Sequence, residues 1–333
     1  MNKSRIRKKI SYFVLRVILG ATALSFVVWI YIAQPSFRSN SPSQVKVNKV
    51  ALKEHVLTLS EQFHPRNHFS LKNLNATSKY IEHHLQSAGG KTRFQDFKVG
   101  RKNFRNVIAT FGSSQKGKLI IGAHYDSCYD TPGADDNASG VAGLLELGRL
   151  LGKTKLNREI ELVAFSLEEP PHYATSAMGS YAHASEIASG SESITGVIIL
   201  EMIGYFSSEP ASQKFPIPLL YLMYPNRGDF IAVVGNMNQR KFTKTVKTGM
   251  KNTSDLPVYS LNAPEKLPGI DFSDHRNYWP HGINAVMITD TAFYRNDQYH
   301  KLGDTEDRLD YSSMAKVVAA VYETAIKIDA ESE

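Results

Sequence analysis

The chain has a single cysteine among its 333 residues, so no intrachain disulfide can form. A cysteine-ligated iron–sulfur cluster is excluded for the same reason. Cys128 lies four residues after His124, and two interpretations of it stay open. It is either a further ligand of a metal site or a small residue packed beside one.

Excess charge is also scarce once the first residues are set aside. The formal net charge is +7, but six Lys or Arg and no acid stand before residue 17, so the remainder is near neutral. Because a nucleic-acid-binding chain needs a basic footprint, we predict no nucleic-acid partner. The sequence also lacks internal repeats and low-complexity blocks.

A long apolar run follows the basic N-terminal residues. Residues 17–33 carry no charge, and with the apolar residues from 10 onward the span exceeds the roughly 20 residues that cross a bilayer. Trp29 and Tyr31 lie near its far end, where aromatic rings suit the membrane interface. We predict a cytoplasmic basic arm (1–9) and a transmembrane signal anchor (10–33), with the rest on the periplasmic or extracellular side. The alternative is a signal peptide whose cleavage yields a secreted protein.

The remaining sequence divides into a short linker and a long patterned segment. Residues 34–47 are polar, with Ser and Pro, which predicts a juxtamembrane linker. Residues 48–333 show no break in composition and are predicted to form one catalytic domain. Strand patterns cover 106–111, 119–123, 161–167, 194–200, 230–235 and 285–289, and helical patterns cover 75–88, 141–151 and 311–328. This alternation predicts an α/β fold with helices on both faces of the sheet.

Acidic and imidazole side chains stand directly after three of the predicted strands: His124, the pair Glu168 and Glu169, and Glu201. In an open α/β sheet, ligands collect at the carboxyl ends of parallel strands. Imidazoles and carboxylates form the nitrogen and oxygen ligand set that zinc favours. The two adjacent glutamates are expected to point in opposite directions, so that one binds metal and the other faces the substrate.

Two further segments strengthen the prediction of a metal site. Asp126 lies two residues after His124, on the same side of an extended chain, and can accept the second N–H of that ring. The loop 133–140, Gly-Ala-Asp-Asp-Asn-Ala-Ser-Gly, is small, acidic and opens a helix. Helix capping explains one of its polar residues, whereas a carboxylate that bridges two cations explains the two glycines and two aspartates together. His300 precedes the last helix and can close the site, with Asp304 to orient it.

The combined motifs resemble the co-catalytic zinc aminopeptidases, the family of bacterial leucyl aminopeptidase and glutamate carboxypeptidase. The resemblance covers roughly residues 100–311 and rests on these matches: His124-x-Asp126, the loop 133–140, Glu168-Glu169, Glu201-Met202, and Tyr299-His300 with Asp304-Thr305. It implies a zinc exopeptidase with a phosphorylase/hydrolase-like α/β fold, whose central mixed β-sheet is sandwiched by helices. Many members carry Asp where this chain has Glu201.

The same resemblance implies a role for each matching residue. Two zinc ions would be held by one bridging acid and two pairs of ligands: Asp136 as the bridge, His124 with Glu201, and Glu169 with His300. Glu168 would be the general base, and the Asp136–Asn137 peptide would be cis. Asp126, Asp304 and His275 would support the ligands from behind. Tyr294 and Tyr299 are candidates for binding the oxyanion.

The implied activity is hydrolysis of the N-terminal bond of a peptide or small amide substrate by a metal-activated water. Three alternatives remain: a glutaminyl cyclase-like single-zinc acyltransferase, a non-catalytic ectodomain of the transferrin-receptor type, and hydrolysis of a small N-acyl amino acid or dipeptide. The stretches 205–229 and 256–270 are predicted to wall the substrate pocket. Their aromatic residues favour an apolar first side chain, whereas Lys and Arg at the entrance would favour acidic ones.

Overall fold

The computed structural model describes residues 3–36, 43–113 and 116–331, and its side chains from Ser11 onward. The first two residues of the predicted basic arm and the side chains of the rest of it lie outside this description. So do residues 37–42 of the predicted linker and the last two residues of the predicted domain.

The centre of the molecule is a mixed sheet of eight strands. In chain order they are β1 (Lys91–Val99), β2 (Lys102–Phe111), β3 (Lys118–His124), β4 (Glu159–Phe165), β5 (Ile194–Glu201), β6 (Ile231–Gly235), β7 (Val258–Asn262) and β8 (Ala285–Thr289). Their order across the sheet is β1-β2-β4-β3-β5-β8-β6-β7. The central strands β4, β3, β5 and β8 are mutually parallel, whereas β1 with β2, β2 with β4, and β6 with β8 pair antiparallel. The predicted α/β fold with a mixed sheet is confirmed.

Helices cover both faces of this sheet. In chain order the helices are α1 (Lys3–Ala33), α2 (Lys49–Leu57), α3 (Leu71–Ser87), α4 (Gly140–Leu151), α5 (Gly179–Ser189), α6 (Arg240–Lys251) and α7 (Tyr311–Ala330), of which α2 to α7 form these layers. Alternate residues of a strand face opposite sides, and in β3 Leu119 and Ile121 join the core formed with α2, α3, α4, α6 and α7. Ile120 instead joins the smaller core that contains Ala184 of α5. Both faces are therefore apolar, and we call the elements from α2 to α7, with their sheet, the α/β body.

Some elements differ from the predicted ones. β1 was missed because it is an edge strand with polar and charged residues, of which only Gln95 is buried. The predicted strand 161–167 ends earlier, at Phe165, because Leu167 takes a left-handed conformation with φ of 62°. Glu168 and Glu169 consequently lie on a loop beyond β4. Helices α2, α5 and α6 were also missed.

The first helix differs in character from the others. Its segment Ser11–Ala33 has 23 residues and a mean hydropathy of 2.2, and its most apolar stretch is not buried within the protein. By length and composition it can cross a membrane. Among its described side chains, those near its end contact the α/β body, where Ala33 is buried.

Candidate metal centre

The predicted ligands converge at the carboxyl ends of the central strands. His124 Nε2, at the end of β3, lies 3.4 Å from Asp136 Oδ1 and 3.2 Å from Glu201 Oε2, at the end of β5. The second oxygen of Asp136, Oδ2, lies 3.2 Å from His300 Nε2, which is 3.1 Å from Glu169 Oε2. Asp136 therefore presents one oxygen to each of two half-sites. We call His124 with Glu201 the first half-site and Glu169 with His300 the second.

These side chains fit bound cations. Ligands at about 2.0–2.2 Å from a tetrahedral zinc ion lie roughly 3.3–3.6 Å from one another, close to the separations above. Three of the atoms, His124 Nε2, Asp136 Oδ2 and Glu169 Oε1, are buried without a hydrogen-bond partner. Because buried polar atoms are nearly always paired in native proteins, their pairing here is best supplied by metal ions.

The charges of the cluster point the same way. Burial and, after it, the neighbouring Asp136 carboxylate raise the pKa of Glu169 to about 7, against the lowering effect of the His300 and His124 rings. Burial disfavours the charged form of His124, yet Glu201, Asp126 and Asp136 raise the pKa of that ring well above its ordinary value. An excess of buried carboxylates thus draws positive charge to the site, which a divalent cation supplies.

Glu168 lies beside these ligands without joining either half-site. Its side chain is buried and lines the same cavity, of about 550 Å³, as Asp136, Glu169, Glu201 and His300. Burial is the main reason that the pKa of Glu168 is raised well above its ordinary value. The negative charges of Glu201 and Glu169 act in the same direction. A carboxyl group that readily accepts a proton therefore borders the space where a substrate would react.

Asp126 supports more of the site than the sequence indicated. Its Oδ1 lies 3.5 Å from His124 Nδ1, although the closer contact of that nitrogen, at 3.2 Å, is the backbone oxygen of Asp126. The same carboxylate accepts hydrogen bonds from the backbone N–H groups of Glu168 and Glu169, each at 3.1 Å. One buried acid thereby fixes the loop that carries both glutamates.

The loop that carries Asp136 is held by Asp304. The backbone N–H groups of Asp135 and Asp136 donate to the two oxygens of Asp304 at 3.1 and 3.0 Å. Asp304 was expected to orient His300, whereas its hydrogen bonds position the backbone of the bridging acid. The carboxylate of Asp135 accepts from the N–H of Gly204 and from Asn296 Nδ2, and the Asp136–Asn137 peptide is cis.

Behind Glu201, the contact comes from a residue that the sequence did not single out. Ser273 Oγ donates a 2.6 Å hydrogen bond to Glu201 Oε2. The expected supporting residue His275 is buried elsewhere: its Nε2 is 2.8 Å from the Ile270 carbonyl oxygen, and its ring packs edge-on against Trp279. His275 therefore fixes the local loop and makes none of these ligand contacts.

The two candidate tyrosines occupy different places. Tyr299 lines the cavity of the acid cluster, and its ring stacks on that of His300 with 3.8 Å between centroids. Tyr294 does not line this cavity, and its hydroxyl donates to the Pro268 carbonyl oxygen at 3.1 Å. Of the two, only Tyr299 is placed to contact a reacting group.

Cys128 lies beside the second half-site. Its sulfur, a Glu169 oxygen and a His300 nitrogen lie within 4.8 Å of one another. Burial raises the pKa of the Cys128 thiol, which favours its protonated form. The sequence left two interpretations of this cysteine, a packed residue or a metal ligand. Its position within reach of the second half-site is compatible with both.

A second, mostly apolar cavity adjoins the acid cluster. Glu201, Phe272 and Tyr299 line both spaces. The rest of its wall comes mainly from the two stretches predicted to form the substrate pocket and from β8 with its loop: Phe215, Leu220, Tyr224, Tyr259, Leu261, Ile270, Met287 and Phe293. Two aromatic residues of the predicted stretch 205–229, Phe206 and Tyr221, do not line it.

Comparison with known families gives one extensive match. The family model described as Peptidase family M28 matches residues 106–325. The chain is 44% identical over 319 residues to the uncharacterized protein YfbL of Escherichia coli (strain K12), covering 93% of this chain and 96% of that protein. It is 23% identical over 223 residues to leucine aminopeptidase 1 of Uncinocarpus reesii, covering 63% of this chain and 51% of that protein.

Solved structures share the fold at low sequence identity. The LapA aminopeptidase of Legionella pneumophila matches with a TM-score of 0.69 at 17% identity, over 90% of this chain and 79% of that one. A glutaminyl cyclase from Bacteroides thetaiotaomicron matches with a TM-score of 0.63 at 18% identity, over 86% and 99%. The shared architecture thus hosts both hydrolytic and cyclising relatives, and the choice between them depends on the site itself.

Proposed function

The chain belongs to Peptidase family M28, and on this premise we propose that it is a zinc-dependent aminopeptidase that removes N-terminal residues from peptides. The observation that carries the proposal is the shared position of Asp136, whose two oxygens each face a separate imidazole–carboxylate pair. A single ion would engage one of these pairs and leave the other pair of buried ligands without a cation. We therefore favour two zinc ions over the one expected for a glutaminyl cyclase-like enzyme.

In this proposal five side chains would hold the metal: His124, Asp136, Glu169, Glu201 and His300. When bound, zinc would supply Lewis acidity that polarises the scissile carbonyl and lowers the pKa of water. Asp126 and Asp304 keep the ligand loops in place through backbone hydrogen bonds.

Glu168 is the proposed general base. Its buried carboxylate removes a proton from the attacking water and passes that proton to the leaving amine, which balances the hydrolysis of the amide bond. The raised pKa of Glu168 supports the first of these steps, because a carboxylate with an ordinary pKa is a weaker base toward water.

The Tyr299 hydroxyl is proposed to stabilise the oxyanion. We expect Tyr299→Phe to lower kcat by about 10²–10³-fold, the cost typical of losing one oxyanion donor, with little change in metal content. Tyr294→Phe is the matched control, because the Tyr294 hydroxyl is engaged by the Pro268 carbonyl. Steady-state kinetics on both variants test the assignment, which is wrong if the two substitutions change kcat equally.

The first residue of the substrate is proposed to be apolar. The cavity next to the acid cluster is lined mainly by aromatic and aliphatic side chains, and among the described residues of its lining Lys214 alone is basic. A leucine-sized side chain would bury its surface there at roughly 25 cal/mol per Å². An acidic side chain would lose its hydration with little compensation.

The N-terminal helix is proposed to be a retained, single-pass anchor. Its length, hydropathy and position support this, together with the basic residues that precede it. The basic flank predicts that the N-terminus is cytoplasmic and that the α/β body, the proposed catalytic domain of residues 48–333, lies on the periplasmic or extracellular side.

A substrate panel tests the proposed activity. Full-length protein in detergent should hydrolyse leucyl anilide and fail on the N-acetylated compound, because a blocked amine removes the feature that defines an aminopeptidase substrate. Chelation should abolish the activity and added zinc should restore it. Cyclisation of an N-terminal glutaminyl peptide without leucyl anilide hydrolysis would instead establish the cyclase, and equal hydrolysis of the acetylated compound would indicate another amidase.

A further inference from the structure

The end of α1 is built into the α/β body. Ala33 and Gln34 are buried, and Ala33 packs against Leu220 and Tyr224 in a small apolar cluster. Trp29, one helical turn earlier, packs against the same cluster. The helix thus ends on a formed surface of the body and not on a free tether.

Buried polar groups complete this junction. Lys247 Nζ donates to the carbonyl oxygens of Ala33 at 2.8 Å and Gln34 at 2.9 Å, and Ser260 Oγ donates to Ala33 at 2.9 Å. The last carbonyls of a helix lack partners within the helix and carry its negative dipole end, so a lysine ammonium suits them. Lys247 is itself only 3% exposed, and a protein without the end of α1 would leave this cation without those acceptors.

Helix α6 runs along the segment that follows α1. At its start, Arg240 stacks its guanidinium 3.3 Å from the centroid of the Tyr31 ring and donates to the Tyr31 carbonyl. Near its end, Lys251 contacts Ser36. The helix carries five Lys or Arg and no acid, which places a strongly basic element at the point where the chain leaves the apolar helix.

The length of α1 sets where this junction lies relative to a bilayer. The 23 residues of Ser11–Ala33 extend about 35 Å at 1.5 Å per residue, slightly more than the roughly 30 Å of a hydrocarbon core. If the helix spans the membrane, its last turn therefore lies at the membrane surface. Whatever packs on that turn lies there too.

The turn Pro218–Leu222 packs on it through Leu220 and exposes its other apolar residues. Leu222 is 86% exposed, Tyr221 48% and Leu219 43%, and Ile217 just before the turn is 37% exposed. We name these four residues the apolar patch. Such a concentration of exposed large apolar side chains, next to a basic helix, is typical of a membrane-contacting surface.

We propose that the apolar patch is seated in the interface of the bilayer that α1 spans, with the exposed Lys241 and Lys244 of α6 on anionic headgroups. The occupant is the lipid surface itself. The inference rests on the retained anchor proposed above and not on the peptidase activity. It has a consequence for that activity, because Leu220 and Tyr224 line the apolar cavity as well as the junction with Ala33. The substrate pocket would then lie directly above the membrane surface, suited to peptides presented there.

Site-specific labelling tests the proposal on the full-length chain. Leu222→Cys, which alters a side chain that is 86% exposed, is labelled with an environment-sensitive fluorophore in nanodiscs of equimolar phosphatidylcholine and phosphatidylglycerol. Lys79→Cys is the matched control, since Lys79 is exposed on α3, which packs on β1 and β2 at the sheet edge opposite β7. The parent protein measures background labelling of buried Cys128.

We expect the label at 222 to shift its emission to the blue and to lose most of its intensity to spin-labelled lipid, while the label at 79 stays water-like and unquenched. Intact mass of the same preparation should show that α1 is present. A label at 222 as water-exposed as that at 79, or a mass that lacks the helix, overturns the proposal. Neither readout involves peptide hydrolysis, so the proposal and the enzymatic assignment can fail separately.

Discussion

Glu168→Gln should lower kcat by about 10²–10⁴-fold, the range for loss of a positioned general base, and leave the metal content unchanged. The amide has nearly the shape of the carboxyl group but cannot take a proton from water. Because Glu168 forms no ion pair with His124 or His300, whereas Glu169 lies 3.1 Å from His300 Nε2, the neighbouring ligand should be undisturbed. Steady-state kinetics with leucyl anilide and metal analysis of the same sample measure both quantities.

The control for this variant is Glu54→Gln on the exposed side of α2, where the same chemical change should have no effect on kcat. Two outcomes would contradict the assignment of the base. One is hydrolysis by Glu168→Gln at the wild-type rate. The other is loss of metal together with activity, which would make Glu168 a ligand.

Asp136→Asn should remove metal as well as activity. An amide retains one oxygen but turns the other ligand atom into an N–H donor, which cannot bind a cation, and one half-site loses its shared acid. We expect the metal affinity of that half-site to fall by at least about 100-fold, because loss of an outer partner alone costs 10–100-fold. Equilibrium dialysis against zinc, followed by metal analysis, measures the change.

The neighbouring substitution Asp135→Asn is the matched control. The Asp135 carboxylate accepts hydrogen bonds from Gly204 and Asn296 and faces neither imidazole, so metal binding should persist even if the loop is somewhat destabilised. If Asp136→Asn keeps the full metal content while Asp135→Asn loses it, the bridging role has been assigned to the wrong aspartate and belongs to Asp135.

The parts of this site that the sequence predicted share one property: each follows a local pattern. His124 and Glu201 end apolar runs, and an acid or imidazole at the end of a buried strand is conspicuous in any sequence. The central strands β3, β5 and β8 were predicted almost to their bounds, because both faces of these strands are buried and their residues are continuously apolar.

What the sequence did not predict depends on contacts between distant segments. The hydrogen bond from Ser273 to Glu201 joins residues 72 positions apart, and the one from Asp136 to Asp304 joins residues 168 apart. No periodicity marks either residue. Arg66 is a further example: it is 1% exposed and donates to the carbonyls of Tyr125 and Gly133, beside both ligand loops, although its surrounding sequence resembles an ordinary polar loop.

The junction of α1 with the α/β body was missed for a related reason. The apolar run predicted an anchor or a signal peptide, and both have the same composition. The proposal that α1 is retained rests instead on tertiary contacts, such as those of Ala33 and Gln34 with Lys247, which composition does not reveal. The polar character of residues 34–47 predicted a linker, and Gln34 at its start is instead buried.

The most direct test of the account is the number of zinc ions bound to each chain of full-length protein, measured together with leucyl anilide hydrolysis before and after chelation. The account predicts two ions per chain, loss of hydrolysis when they are removed, and recovery of both when zinc is returned. Full hydrolysis by metal-free protein, or one ion per chain at saturating zinc, would contradict it.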